Sequence, residues 1–195
     1  MSSEPLLSSI SQTHSVGVNQ QNFQSFNDLV RLGGFPVTQG IQRISKVQVW
    51  GRDRVEGIEV TYILKPDPFP QAPHVLIHGL KSGHAHPAIP INGRTRRCFL
   101  YSLPPLIALS TDRQFLVGVY GQRNAANNIG SISFVIFEED SGRVEVQGPF
   151  GSPPKPGTAY GTFGPIVAFA GTEESAFGLC ALSMIKIDSH ANSLL

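Results

Sequence analysis

The chain has 195 residues, enough for one domain with a substantial core and short of the length at which two are expected. It is 41% hydrophobic and only 15% charged, with 20 Gly and 15 Pro, a composition of many turns and few exposed amphipathic helices. A formal net charge of +1 leaves no basic face for nucleic acid or an anionic membrane, and no apolar run is long enough to cross a bilayer.

Residues 1–25 are rich in Ser, Gln and Asn and follow neither the helical nor the strand period. They are predicted to form a flexible N-terminal tail or a loosely docked arm, leaving 26–190 as the folded domain. Met1 to Pro5 carries no basic residue and no adequate apolar stretch follows, so a cytoplasmic protein, or one secreted without a signal peptide, is expected. Apolar runs then alternate with turn residues almost to the end. Strands are predicted near 28–32, 43–50, 55–64, 74–78, 96–102, 105–109, 114–120, 128–137, 143–147, 158–161, 165–170 and 178–187. Proline-rich breaks at Pro66 to Pro70, His84 to Pro90 and Pro153 to Pro156 read as long loops, because strand patterns resume after each. No helix of convincing length emerges. The fold class is all-β in one domain.

The clearest pattern is Lys46 to Leu64, KVQVWGRDRVEGIEVTYIL. Val47, Val49, Ile58, Val60 and Tyr62 fall at period two, so each of two strands can bury one face. Gly51 and Asp53 supply the turn between them, and Gly57, inside a strand, signals a bulge or a close backbone approach.

Residues with chemical potential are few. His78, His84 and His86 share one region, but no Cys or carboxylate lies near in sequence and Pro87 breaks the spacing a metal would need. Cys98 and Cys180 sit in apolar runs, where a buried, inert thiol is expected rather than a nucleophile or a disulfide. Arg94, Arg96 and Arg97 form a basic cluster without an aromatic platform. Nothing here points to an enzyme, a metal or another cofactor.

The ordered set of short motifs resembles the jacalin-related lectins. The hairpin at Trp50 to Tyr62 is preceded by Gly33-Gly34. It is followed by GVYG at Gly118 to Gly121 and IGSISFVIF at Ile129 to Phe137. Then come GPFG at Gly148 to Gly151, Gly157-Thr158, IVAFAG at Ile166 to Gly171 and GLCALSMIKI at Gly178 to Ile187. The resemblance implies a β-prism of three four-stranded antiparallel sheets. It also implies a sugar site at one end of the prism, built from three loops and needing no metal.

By this resemblance Gly33 and Gly34 form the first sugar loop. His78 and Gly79 open the second, more variable loop, HGLKSG at His78 to Gly83. The third precedes the last strand, where the family places a G-x-x-x-D motif. That motif falls on Ala176-Phe177-Gly178-Leu179-Cys180, so Ala176 stands for the glycine and Cys180 for the aspartate. A thiol is a weak donor and poor acceptor, and cannot replace a carboxylate that takes two sugar hydroxyls. The loop is about two residues longer than usual, and Glu173 or Glu174, with Ser175 and Phe177, can bring a carboxylate and an aromatic face from a shifted position.

Two functions follow from the resemblance. One is a lectin for mannose- or glucose-class glycans, since the chain is continuous through the first loop. The other is a β-prism that has lost sugar binding and serves as an interaction or assembly module. Either is expected to form a homo-oligomer, because β-prism edges can pair.

Overall fold

The computed structural model describes residues 9–33, 40–65, 72–91 and 114–188. Among the described residues, fourteen strands and one short helix follow in chain order. They are β1 (Ser9–Gln12), β2 (Val16–Gly17), β3 (Gln24–Asn27), α1 (Asp28–Arg31), β4 (Ile41–Gly51) and β5 (Val55–Leu64). Next are β6 (His74–Gly79), β7 (His84–Ala85), β8 (Ile89–Pro90), β9 (Gln114–Arg123) and β10 (Ile129–Glu138). The last are β11 (Arg143–Gly151), β12 (Thr158–Phe163), β13 (Ile166–Glu174) and β14 (Gly178–Asp188).

The hairpin read from alternation forms as β4 and β5, antiparallel, with Val47 opposite Val60 and Val49 opposite Ile58. Its inward residues are sealed: Val47, Ile58, Val60 and Tyr62 have no exposed surface and Val49 only 1%. Each such aliphatic side chain adds about 1.5–3 kcal/mol of transfer free energy. At Gly57 a Cβ would stand 2.3 Å from the Leu80 carbonyl oxygen, so the glycine marks a close backbone approach.

Three sheets enclose the core, and every described pairing is antiparallel. One runs β6-β5-β4 with β7 and β8 both on the outer edge of β4. Another runs β11-β10-β9-β12. The third runs β1-β14-β13-β3, with β2 also pairing β14. In the first and third sheets two short strands share one edge, so each sheet is four strands wide. The expected prism of three four-stranded sheets is therefore what forms. Ile58, Ile132, Phe134, Ala168, Phe169 and Leu182, drawn from all three sheets, meet in the middle.

Three sequence expectations give way. The stretch 28–32, read as a strand, begins as α1: the Asn27 side chain accepts from the Val30 N–H at 3.1 Å and caps a single helical turn. Of residues 9–25, read as tail, β1, β2 and the start of β3 join the third sheet, with Ile10 opposite Ile187 and Ser25 opposite Thr172. The loop between His84 and Pro90 contributes the two-residue strands β7 and β8. The strands expected at 96–102 and 105–109, together with Cys98 and the arginine cluster, lie outside the described residues.

Candidate functional site

The turn between β13 and β14 carries the two acidic residues, and they do different things. Glu174 holds the turn: its Oε2 accepts from the Ala176 N–H at 2.8 Å and the Phe177 N–H at 2.9 Å. Ser175 Oγ lies 3.2 Å from its other oxygen. Glu173 instead reaches across to the sheet containing β6, where its Oε2 accepts from the Gly79 N–H at 2.5 Å. Its second oxygen takes no hydrogen bond from a described residue. Adjacent strand positions face opposite ways, so the two carboxylates diverge; the register shift beside them leaves Cys180 of β14 as the extra residue.

Gly79 is the pivot of this end of the molecule. Its φ is +78°, and a Cβ would lie 2.3 Å from the Glu56 carbonyl oxygen and 2.4 Å from the Leu179 nitrogen. Only glycine fits, both for the backbone conformation and for the contact. The loop it opens is tied down at once, as Leu80 N–H donates to the Glu56 carbonyl at 2.9 Å and Ser82 Oγ to the Glu56 carboxylate at 2.7 Å. Arg54 Nη2 donates to the Phe177 carbonyl at 2.9 Å, fastening the β4–β5 turn to the β13–β14 turn.

Between these turns lies an open cleft of about 430 Å³. Glu173, Glu174 and Ser175 form one wall; Ile77, Gly79 and Leu80 form the second. Asn22 and Gln24 form the third. These two amides come from the segment just before and at the start of β3, and the sequence reading missed them because their polar surroundings match those of a tail. The signal that would have found them is Phe26 beside Asp28, an apolar and acidic pair that the core consumes.

Of the residues expected at the site, the cleft gathers Gly79, Glu173, Glu174 and Ser175. Ala176 and Phe177 stand at the tip of the turn, Phe177 56% exposed. Gly178 is buried, its φ of +79° closing the hairpin beneath the Glu56 carbonyl. Gly33 is exposed after α1, nearest Gly40, and is not part of the cleft wall. Gly34 lies outside the described residues.

His78 is not a surface residue. It is wholly buried, its Nε2 2.8 Å from Asp28 Oδ1 and its ring stacked on Phe26 at 3.6 Å between centroids. Tyr62 donates its hydroxyl to Asp28 Oδ2 at 2.5 Å. Burial, and then the Asp28 charge, push the Tyr62 hydroxyl well above the usual tyrosine range. This internal cluster clamps α1, β5 and β6 together just under the cleft, so His78 supports the site from behind.

Cys180 is buried, with Sγ 3.4 Å from the Gly178 carbonyl. Burial, and then the charge of Glu174, push its thiol up. It offers no charge to a ligand. His84 and His86 meet edge to face at 5.7 Å. Among the described residues no three His, Cys, Asp or Glu come together to hold a metal ion.

No protein-family model and no curated protein matches the sequence. Solved structures do. Malaysian banana lectin superposes with a TM-score of 0.59 at 16% identity, covering 92% of this chain and 99% of that one. A mannose-binding jacalin-related lectin from Ananas comosus gives 0.56 at 16% identity, over 92% and 99% of the two chains. A mannose-specific jacalin-related lectin from Morus nigra, in complex with mannose, gives 0.54 at 17%, over 96% and 99%. At these identities the likeness is one of fold, and it spans nearly the whole of both chains: the protein is folded as a jacalin-like β-prism.

Proposed function

We propose that this protein is a carbohydrate-binding lectin for mannose- or glucose-class glycans, acting without a metal and as a homo-oligomer. The observation that carries the reading is the cleft at one end of the prism, where a half-buried carboxylate, a glycine backbone and two amides converge. Glu173 is fixed by the Gly79 N–H through one oxygen and presents the other to a sugar hydroxyl. Asn22 and Gln24 each offer a donor and an acceptor, the pairing that neighbouring hydroxyls need. Ile77, 44% exposed, gives the C–H face of a pyranose an apolar surface. The similar lectins from Ananas comosus and Morus nigra take mannose, which sets the first sugars to try.

A second reading, an interaction module that has lost sugar binding, draws on Cys180, where the family motif has its aspartate, and on Glu174, whose carboxylate is occupied by its own turn. A glycan array separates the two. Binding to mannose- or glucose-bearing glycans, lost in Glu173→Gln and kept in Glu174→Gln, supports the lectin. Silence across the array from folded protein leaves the interaction module.

A further inference from the structure

Residues directly opposite one another in a sheet share a face, and successive residues along a strand alternate between faces. On the outer face of the β11-β10-β9-β12 sheet, one row is Val144, Phe137 and Phe115. The next is Val146, Val135, Gly118 and Phe163, and a third sets Tyr120 between Ser133 and Gly161. No charged residue stands in these three rows. On β11, Arg143 and Glu145 alternate to the opposite face, and pair with each other at 3.7 Å. The apolar side chains of the rows stay in water: Phe163 is 65% exposed, Val144 59%, Val146 49%, Phe115 39% and Tyr120 37%. Phe163 lies over Gly118, where a Cβ would stand 2.8 Å from its ring and 3.1 Å from Val135. The β4–β5 sheet is finished differently, with Lys81 over Trp50 at 4.8 Å and both Lys81 and Lys46 paired to Glu59.

We infer that two copies of this chain pack against each other through the outer face of β9, β10, β11 and β12. This rests on the homo-oligomer part of the proposed function, to which it gives a surface, and does not depend on sugar binding. Charge and area both select a second copy. A two-fold contact sets each group near its axis against its own image, so a charge there would meet a like charge. An uncharged face avoids that clash, and it offers nothing for a charged partner to read. With about 150–250 Å² on each full aromatic side chain, the exposed parts of Phe115, Tyr120, Phe163, Val144 and Val146 amount to roughly 400 Å². Apolar patches of roughly 300–600 Å² on a protein surface commonly mark interaction sites. Two such faces, with their polar rims, make the core of a specific contact of about 1,200–2,000 Å².

The test is sedimentation velocity of the full chain over a series of protein concentrations. The wild type is expected to show a concentration-dependent dimer. Val144→Lys and Phe163→Lys each bury a charge in both halves of the contact and are expected to weaken the dimer at least about tenfold. Val75→Lys, a substitution of similar exposure on β6 of another sheet, is expected to leave the dimer unchanged. Circular dichroism confirms that each variant is folded. A dimer that survives both Val144→Lys and Phe163→Lys overturns this face as the interface and leaves the homo-oligomer reading intact. A wild type that stays monomeric throughout the series overturns both and leaves the face to a different partner.

Discussion

Two adjacent glutamates with different partners give sharply different expectations. Glu173→Gln keeps the shape and a carbonyl acceptor for the Gly79 N–H but removes the charge. The loss of a charge-assisted bond worth about 1.5–3 kcal/mol lowers sugar affinity roughly tenfold or more. Glu174→Gln weakens the turn and is read in stability, as a loss of about 1 kcal/mol by urea denaturation, with little change in affinity. Glu59 carries the pH dependence. Burial pushes its carboxyl up, but hydrogen bonds from Lys81 at 2.6 Å and Lys46 at 2.9 Å and their charges outweigh this, and the net shift is downward. A carboxylate lowered in the folded state adds stability above its unfolded pKa of about 4.3 and loses it as pH falls through the lower folded value. Glu59→Gln is therefore expected to lose about 1–2 kcal/mol at pH 7, a deficit that shrinks below about pH 4; urea melts at several pH values check this.

At the scale of elements, the buried Asp28–Tyr62–His78 cluster decides how the N-terminal segment docks. Tyr62→Phe removes the hydroxyl that Asp28 Oδ2 accepts at 2.5 Å and is expected to cost about 1.5–3 kcal/mol. Asp28→Ala, which leaves the buried Tyr62 hydroxyl without its acceptor and opens a gap beside His78, is expected to cost at least as much. Both are measured by denaturant midpoint. The β4–β5 hairpin was legible in advance because its alternation is uninterrupted and both faces have a clear destination. α1 was not, because Asp28-Leu29-Val30-Arg31 is too short to show a helical period and its cap depends on Asn27 turning inward. β1 and β3 were hidden for another reason: they are short edge strands whose Gln12, Gln24 and Ser25 stay exposed, so hydrophobicity does not mark them. Deleting residues 1–13 strips β1 from β14 and exposes the edge of the last strand. That truncation is expected to cost about 2 kcal/mol or more and to promote aggregation, both visible in thermal unfolding followed by light scattering.

For the whole molecule, alternation marked an all-β chain without choosing among sandwich, barrel and prism; it was the resemblance of the ordered motifs to the jacalin-related lectins that pointed to a prism. The site was only half legible. An acidic pair at the β13–β14 turn could be read from the sequence, but not that Glu173 reaches the Gly79 N–H while Glu174 caps its own turn. Gly33 and His78 were assigned by position along the chain. Folding sends one to the surface beyond α1 and the other into the core, while Asn22 and Gln24 arrive from a stretch with no strand signature. The prism thus gathers at one cleft side chains that the motifs alone did not name together.

The most direct measurement is a calorimetric titration of methyl α-mannoside and methyl α-glucoside into the wild-type protein and Glu173→Gln. Saturable binding of either sugar by the wild type, weakened roughly tenfold or more in the still-folded variant, is the predicted result. Binding that Glu173→Gln leaves intact, or no binding by well-folded wild type, contradicts the assignment of Glu173 as the sugar-binding carboxylate.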